Sequence, residues 1–187
     1  MDSAPSSGEI TAPRSSLSVT FAVWNALFLR EAVARLSATR GAWVLLVLEP
    51  VLHTGFMLLL YTVLRTRSVA GADVAVWLVL GLTGYFTVQN VFQRSMGAVD
   101  ANKALFAYRQ VRPIDTVIVR AALETLMGLI ILLALLLVLA FFGRTIIPES
   151  PIESIFSFVG LILCALGVGL ILSVLSDLVT EAANLVN

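Results

Sequence analysis

The chain has 187 residues, of which 59% are hydrophobic and only 13% are charged. Twelve basic residues balance twelve acidic ones, so the overall charge gives no reason to expect a nucleic-acid partner. This composition lies outside the range of soluble globular domains and predicts a membrane protein.

The N-terminal part of the chain divides into a polar tail and a helix. Residues 1–16 lack the apolar core of a signal peptide and are predicted to be a disordered tail. Residues 17–40 have helix-forming composition and end at Gly41. Apolar side chains recur on one face of this helix, at Leu17, Phe21, Trp24 and Phe28. Such a helix can lie along a membrane surface, and a first span that starts early is the alternative.

Four apolar stretches are long enough to cross a bilayer, because a hydrocarbon core of roughly 30 Å needs about 20 helical residues. They are residues 41–64, 74–92, 121–142 and 155–176. Helices are predicted because isolated strands would leave backbone groups unpaired in lipid. The predicted fold class is therefore all-α: one polytopic membrane domain over 17–187, in which an interfacial helix precedes four transmembrane helices.

The first predicted span contains Glu49, Pro50 and the only histidine, His53. Glu49, His53 and Phe56 share one helical face, where the carboxylate and the imidazole can meet. Pro50 removes a backbone hydrogen bond and allows a bend. Because ionisable residues inside a membrane often mark ion paths, this polar face is either an internal clasp or part of a transport pathway or protomer interface.

The basic residues predict how the spans are oriented. Nine Lys or Arg residues lie before the first span or in the 93–120 loop, and three lie in the loops 65–73 and 143–154. Both termini and the 93–120 loop are therefore predicted to face the cytosol. The other two loops are predicted to be turns.

The loop ANKALFAYRQVRPIDTVIVR, residues 101–120, mixes aromatic and basic side chains. Pro113 prevents one helix from running through it, so a short helix that ends near Arg112 is predicted. Its aromatic residues either dip into the lipid headgroups or anchor a cytosolic partner. Just beyond the proline, Arg120 and Glu124 are four residues apart and are predicted to pair with each other.

Several kinds of chemistry have no motif in the sequence. There is no G-x-x-x-x-G-K-[ST] phosphate loop, no H-E-x-x-H and no G-x-S-x-G. One histidine cannot supply a multi-histidine metal site, and one cysteine cannot form an internal disulfide. We therefore expect a non-enzymatic chain that binds no cofactor or metal, and any ATP-driven work needs another subunit.

Three stretches, in this order, resemble the permease subunits of ABC-2 type exporters, in the branch that exports capsular polysaccharide and O-antigen. The stretches are LFLREAVARLSATRGAWVLLVLEP (27–50), LGLTGYFTVQN (80–90) and MGAVDANKALFAYRQVRPIDTVIVRAALE (96–124). The third is the most specific, with Asn-Lys-x-Leu, Gln-Val-x-Pro-x-Asp and Arg-x-x-x-Glu in the family's order and approximate spacing. The resemblance covers roughly residues 17–176.

The resemblance implies an inner-membrane permease that pairs with a second copy and with two ATP-binding-cassette subunits, which would hold the ATP and Mg²⁺. The substrate it implies is a polysaccharide or lipid-linked glycan. In that family a coupling helix docks on the ATPase, and it corresponds here to the docking loop, residues 101–115. The implied docking residues are Asn102, Lys103, Leu105, Phe106, Tyr108, Arg109, Gln110, Val111, Arg112, Pro113 and Asp115. The implied interfacial gate helix carries Phe21, Trp24, Phe28, Arg30 and Glu31.

The sequence departs from the family at its end. Family members continue into two more spans, which are absent from this sequence. An expression fragment, a truncated gene product and half of a split permease are all compatible with this departure. Two other functions also stay open: a small proton-coupled carrier that uses Glu49, and a truncated permease that does not transport.

Overall fold

The computed structural model describes residues 16–37, 41–63, 68–69 and 72–186. Five α-helices follow one another: α1 Ser16–Ser37, α2 Ala42–Val63, α3 Val74–Met96, α4 Pro113–Phe141 and α5 Pro151–Val186. A 3₁₀ helix at Asp100–Ala107, named the loop helix here, joins α3 to α4. Two short strands, β1 Ser68–Val69 and β2 Ala72–Asp73, pair antiparallel before α3. The predicted all-α class is confirmed, and the predicted tail lies outside the described residues except for Ser16.

Four of the described helices are long and apolar enough to cross a membrane. They are α3, α4, α5 and the Leu17–Arg35 part of α1, whereas α2 contributes a shorter apolar segment, Leu48–Tyr61. The sequence also predicts four spans, but not the same four helices. It predicts that α1 lies on the membrane surface and that α2 crosses the membrane. By length and composition α1 also qualifies as a span. A surface position for α1 stays a prediction.

The start of α4 differs from the predicted start of the third span at residue 121. The helix begins at Pro113, because a proline at the first helical position lacks only a backbone N–H that would be unpaired there anyway. The Asp115 carboxylate accepts the backbone N–H of Arg112 at 3.0 Å and caps this end. At the other end Gly143 has a φ of +75°, a conformation that favours glycine and closes the helix.

The central helix is α3, which packs against α4 and α5 most extensively and also against α2. Its buried apolar residues meet those of α4, and the fully buried side chains include Val79, Val91, Val117 and Leu123. Small residues allow the helices to approach closely. At the crossing of α3 and α5, a Cβ added to Gly169 would lie 2.7 Å from Cβ of Ser95. At the crossing of α3 and α4, Gly128 lies against Thr87.

Ion pairs concentrate at one end of this bundle. Five of the six described pairs join the second half of α1, the end of α3, the start of α4, the loop helix and the C-terminal part of α5. The sixth, between Arg144 and Asp73, lies at the other end. From residue 126 onward α4 is apolar until its end. The bundle therefore has an apolar body and a charged end, and the predicted docking loop lies at the charged end.

Candidate functional site

The docking loop contains the predicted break at Pro113, but its helix is shorter than predicted. The loop helix ends at Ala107 rather than near Arg112. Tyr108 and Arg112 both have extended backbones, and the extended conformation of Arg112 follows from the proline after it. Between the two helices the chain forms a turn, in which the Val111 N–H donates to the Tyr108 carbonyl oxygen at 3.0 Å.

Two of the predicted docking residues face inward. Asn102 is only 3% exposed, donates its amide N–H to the Ala98 carbonyl oxygen at 2.7 Å and accepts a hydrogen bond from Arg30. Asp115 is only 7% exposed, and its Oδ1 accepts the indole N–H of Trp24 at 2.8 Å. Both buried side chains have hydrogen-bond partners within the chain, as buried polar groups in proteins nearly always do. These two residues hold the docking loop in place.

The remaining predicted docking residues form an exposed rim and a partly buried base. Tyr108 is 67% exposed. Exposed side chains also belong to Lys103, Arg109, Gln110, Arg112 and Pro113, whereas Leu105, Phe106 and Val111 are half-buried. Arg109 and Arg112 form no ion pair within the described part of the chain. The outward surface of the loop is therefore aromatic and basic.

Lys103 ties the loop helix to α5. Its Nζ lies 2.7 Å from Oδ1 of Asp100 and 3.2 Å from Oδ1 of Asp177. Hydrogen bonding to Asp100, and then to Asp177, raises the pKa of Lys103, so its ammonium group stays charged throughout the physiological pH range. Together, Asn102 and Lys103 attach the loop helix to α1, to α5 and to Ala98 in the turn after α3.

Helix α1 runs beside the first turns of α4, so its successive side chains meet successive positions of that helix. Trp24 reaches Asp115, and Glu31 lies 2.7 Å from the Nε of Arg120. Phe21 is exposed, and Trp24 and Phe28 are half-buried. These three side chains line an apolar cavity of about 380 Å³ against α4. The buried apolar residue of α1 is Leu27, so the predicted apolar face lies at the edge of the contact rather than at its centre.

A buried ion cluster forms where α1, α3 and α4 meet. Glu124 is 3% exposed and pairs with Arg35 and, at 3.2 Å, with the Nε of Arg94. The predicted pair between Arg120 and Glu124 is wrong. An i, i+4 pair is worth only about 0.2–0.5 kcal/mol on an isolated helix, and α1 brings better-placed partners to both residues. Sequence reasoning missed the roles of Arg35 and Arg94 because their partner lies on another helix.

The predicted polar face of α2 borders a cleft of about 220 Å³ between α2, α3, α4 and the end of α1. We call it the polar cleft, and its polar lining includes Arg35, Glu49, Gln89, Asn90, Gln93 and Arg94. Pro50 also lines it. His53 packs edge-to-face on Phe86, with ring centroids 5.1 Å apart. Phe56 is exposed, and the predicted contact between Glu49 and His53 is not among the described contacts.

Comparison with known proteins gives several relatives of this chain. It is 33% identical over 168 residues to the polysialic acid transport protein KpsM of Escherichia coli. This match covers 90% of the chain and 65% of KpsM. It is 27% identical to the capsule polysaccharide export inner-membrane protein BexB of Haemophilus influenzae over 84% of this chain and 63% of that protein. The corresponding protein CtrC of Neisseria meningitidis serogroup B is 25% identical over 84% of this chain and 59% of its own length.

The matches cover most of this chain but only part of each relative. The chain spans somewhat less than two thirds of the length of each of these curated relatives. No protein-family model matches it. The similarity nevertheless extends over most of the chain, including both the bundle and its charged end.

Proposed function

Because the chain is a homologue of the capsule polysaccharide export inner-membrane proteins, we propose that it is the permease subunit of an ATP-binding-cassette exporter. Its substrate would be a polysaccharide or a lipid-linked glycan that crosses the bacterial inner membrane. The proton-coupled carrier is not favoured, since the relatives are polysaccharide transport and export proteins by name. In this proposal the chain binds no cofactor, and ATP with Mg²⁺ binds to a separate ATPase subunit.

The observation that supports the proposal most directly is the structure of the docking loop, which has an exposed aromatic and basic surface and a fixed inward side. Its outward surface presents Tyr108 with Arg109 and Arg112, and aromatic and Arg side chains are the types that dominate binding energy at protein interfaces. Its inward side is fixed by Asn102 and Lys103 to α1, to α5 and to the turn after α3. A segment that moved independently could not transmit force, whereas this one moves only with the helices to which it is attached.

The proposal also includes the arrangement of the assembly. The basic residues predict that the docking loop and both termini face the cytosol, where an ATPase would be found. Two copies of the chain would pair with two ATPase subunits, with membrane lipid around the apolar helices and the glycan between the protomers. Nucleic acid has no place in this assembly.

A pair of variants at one position tests the docking surface. Tyr108→Asp places a charge on the exposed rim of the loop without touching its buried anchors, and Tyr108→Phe keeps the ring as a matched control. We expect Tyr108→Asp to abolish co-purification of the ATPase and glycan export while membrane insertion stays normal, and Tyr108→Phe to retain both. Normal export by Tyr108→Asp would contradict the proposed docking surface.

A further inference from the structure

The polar cleft is unusual because its α3 wall carries several polar side chains beside the apolar body of the bundle. Gln89, Asn90 and Gln93 lie on α3, on the side that Phe86 and Arg94 also share. None of these three carboxamides forms a hydrogen bond within the described part of the chain. Since polar side chains that face lipid are costly, this wall of α3 must face water or a polar ligand.

Deeper groups in the cleft also lack partners. The Thr83 hydroxyl is buried without a hydrogen-bond partner in a residue that is 3% exposed. The Nε of Arg35 is likewise buried and unpaired, although the Arg35 side chain pairs with Glu124 through another nitrogen. Buried polar groups in proteins are nearly always hydrogen-bonded. Two unpaired groups in residues that line one cleft therefore show that the described part of the chain does not satisfy the polar groups of this lining by itself.

The chemistry of the lining restricts this occupant. The two guanidinium groups of Arg35 and Arg94 are balanced by the carboxylates of Glu49 and Glu124, so the lining is formally neutral and offers no net attraction to a polyanion. Carboxamides, a hydroxyl and a carboxylate together both donate and accept hydrogen bonds. The volume of about 220 Å³ is smaller than that of sites for drug-sized ligands. A single ring that carries several hydroxyl groups meets these requirements.

We propose that the polar cleft binds one uncharged sugar ring through its hydroxyl groups, within a single subunit. This inference rests on the proposed function, because a glycan exporter is the setting in which a sugar reaches this cleft. In the predicted orientation the cleft lies in the cytosolic half of the bundle, between the buried ion cluster and Thr83. The site would therefore hold a sugar unit on the side from which export begins.

Thiol labelling of the full chain in lipid nanodiscs tests this site. The Met127→Cys variant with Cys164→Ser places the only thiol in the lining of the cleft and leaves every polar lining residue intact. The probes are maltotriose, a neutral oligosaccharide, and trigalacturonate, which carries a carboxylate on each ring. The unaltered chain is the control, because its only thiol, Cys164, is exposed on α5.

We expect a water-soluble maleimide to label Met127→Cys, maltotriose to slow this labelling, and trigalacturonate to have no effect. The further substitution Thr83→Val removes the hydroxyl at nearly constant shape. We expect this substitution to increase, by about two- to tenfold, the maltotriose concentration that is needed to halve the labelling rate. Labelling that maltotriose does not slow, slowing that is equal at Cys164, or slowing that Thr83→Val leaves unchanged would overturn the proposal. A cleft that holds only water gives the first of these results.

The same preparations separate this inference from the proposed function. Co-purification of the ATPase is measured beside the labelling. If the ATPase co-purifies but maltotriose does not protect the thiol, the sugar site is wrong and the permease assignment still holds. Protection in a chain that binds no ATPase supports the sugar site and contradicts the permease assignment.

Discussion

The indole Nε1–H of Trp24 donates a 2.8 Å hydrogen bond to Oδ1 of Asp115. The other oxygen of the same carboxylate accepts the backbone N–H of Arg112 at 3.0 Å. One buried carboxylate therefore joins α1 to the point at which the docking loop becomes α4. Any displacement of this point by a partner is transmitted to α1, because a buried hydrogen bond to a charged acceptor is costly to break.

Removal of this hydrogen bond has a predictable cost. Trp24→Phe keeps an aromatic ring but leaves the buried Asp115 without one donor, so we expect the free energy of unfolding to fall by about 1.5–3 kcal/mol. Thermal unfolding of the purified protein measures it. Trp77→Phe is the control, because Trp77 is 45% exposed on α3. Equal destabilisation by the two substitutions would show that the hydrogen bond contributes nothing specific.

The buried ion cluster predicts a larger effect at Glu124. Glu124→Gln leaves Arg35 and Arg94 close together without their counter-charge, and loss of one partner from a buried ion pair typically costs about 3–5 kcal/mol. Urea or thermal unfolding in detergent measures the loss. Glu153→Gln, at the exposed start of α5, should have little effect. The double variant Arg35→Gln with Glu124→Gln should lose less than the sum of the single variants, and strict additivity would contradict a direct interaction.

Two glycines on α5 provide a matched test of helix packing. In Gly169→Ala the new methyl group would lie 2.7 Å from Cβ of Ser95, so α3 and α5 must separate. We expect a loss of about 1–3 kcal/mol from this overpacking. At Gly167 an added Cβ would meet nothing within 4 Å, and Gly167→Ala should retain full stability. The comparison is made by thermal unfolding, and a greater loss for Gly167→Ala would refute the packing described here.

The sequence predicted the helices well because apolar length and proline positions are local properties. The break before Pro113 and the all-α class follow from such properties, and both are confirmed. The partners of Glu124 could not be predicted, because Arg35 lies on a helix distant in sequence and meets Glu124 only after α1 has packed against α4. For the same reason the contacts of Asn102 could not be predicted. The resemblance assigns Asn102 to the docking residues, but its contacts with Ala98, in the turn after α3, and with Arg30 of α1 form only in the folded chain.

The central claim is that the docking loop contacts an ATPase, and site-specific photocross-linking tests it most directly. Benzoylphenylalanine replaces either Tyr108, which is 67% exposed on the docking loop, or Ile147, which is 83% exposed between α4 and α5. Cross-linking is carried out in membranes of cells that contain the complete exporter. We predict a cross-link from position 108 to a protein that mass spectrometry identifies as an ATP-binding-cassette ATPase, and none from position 147. Cross-links to that ATPase from position 147 but not from position 108, or from neither, would contradict the account.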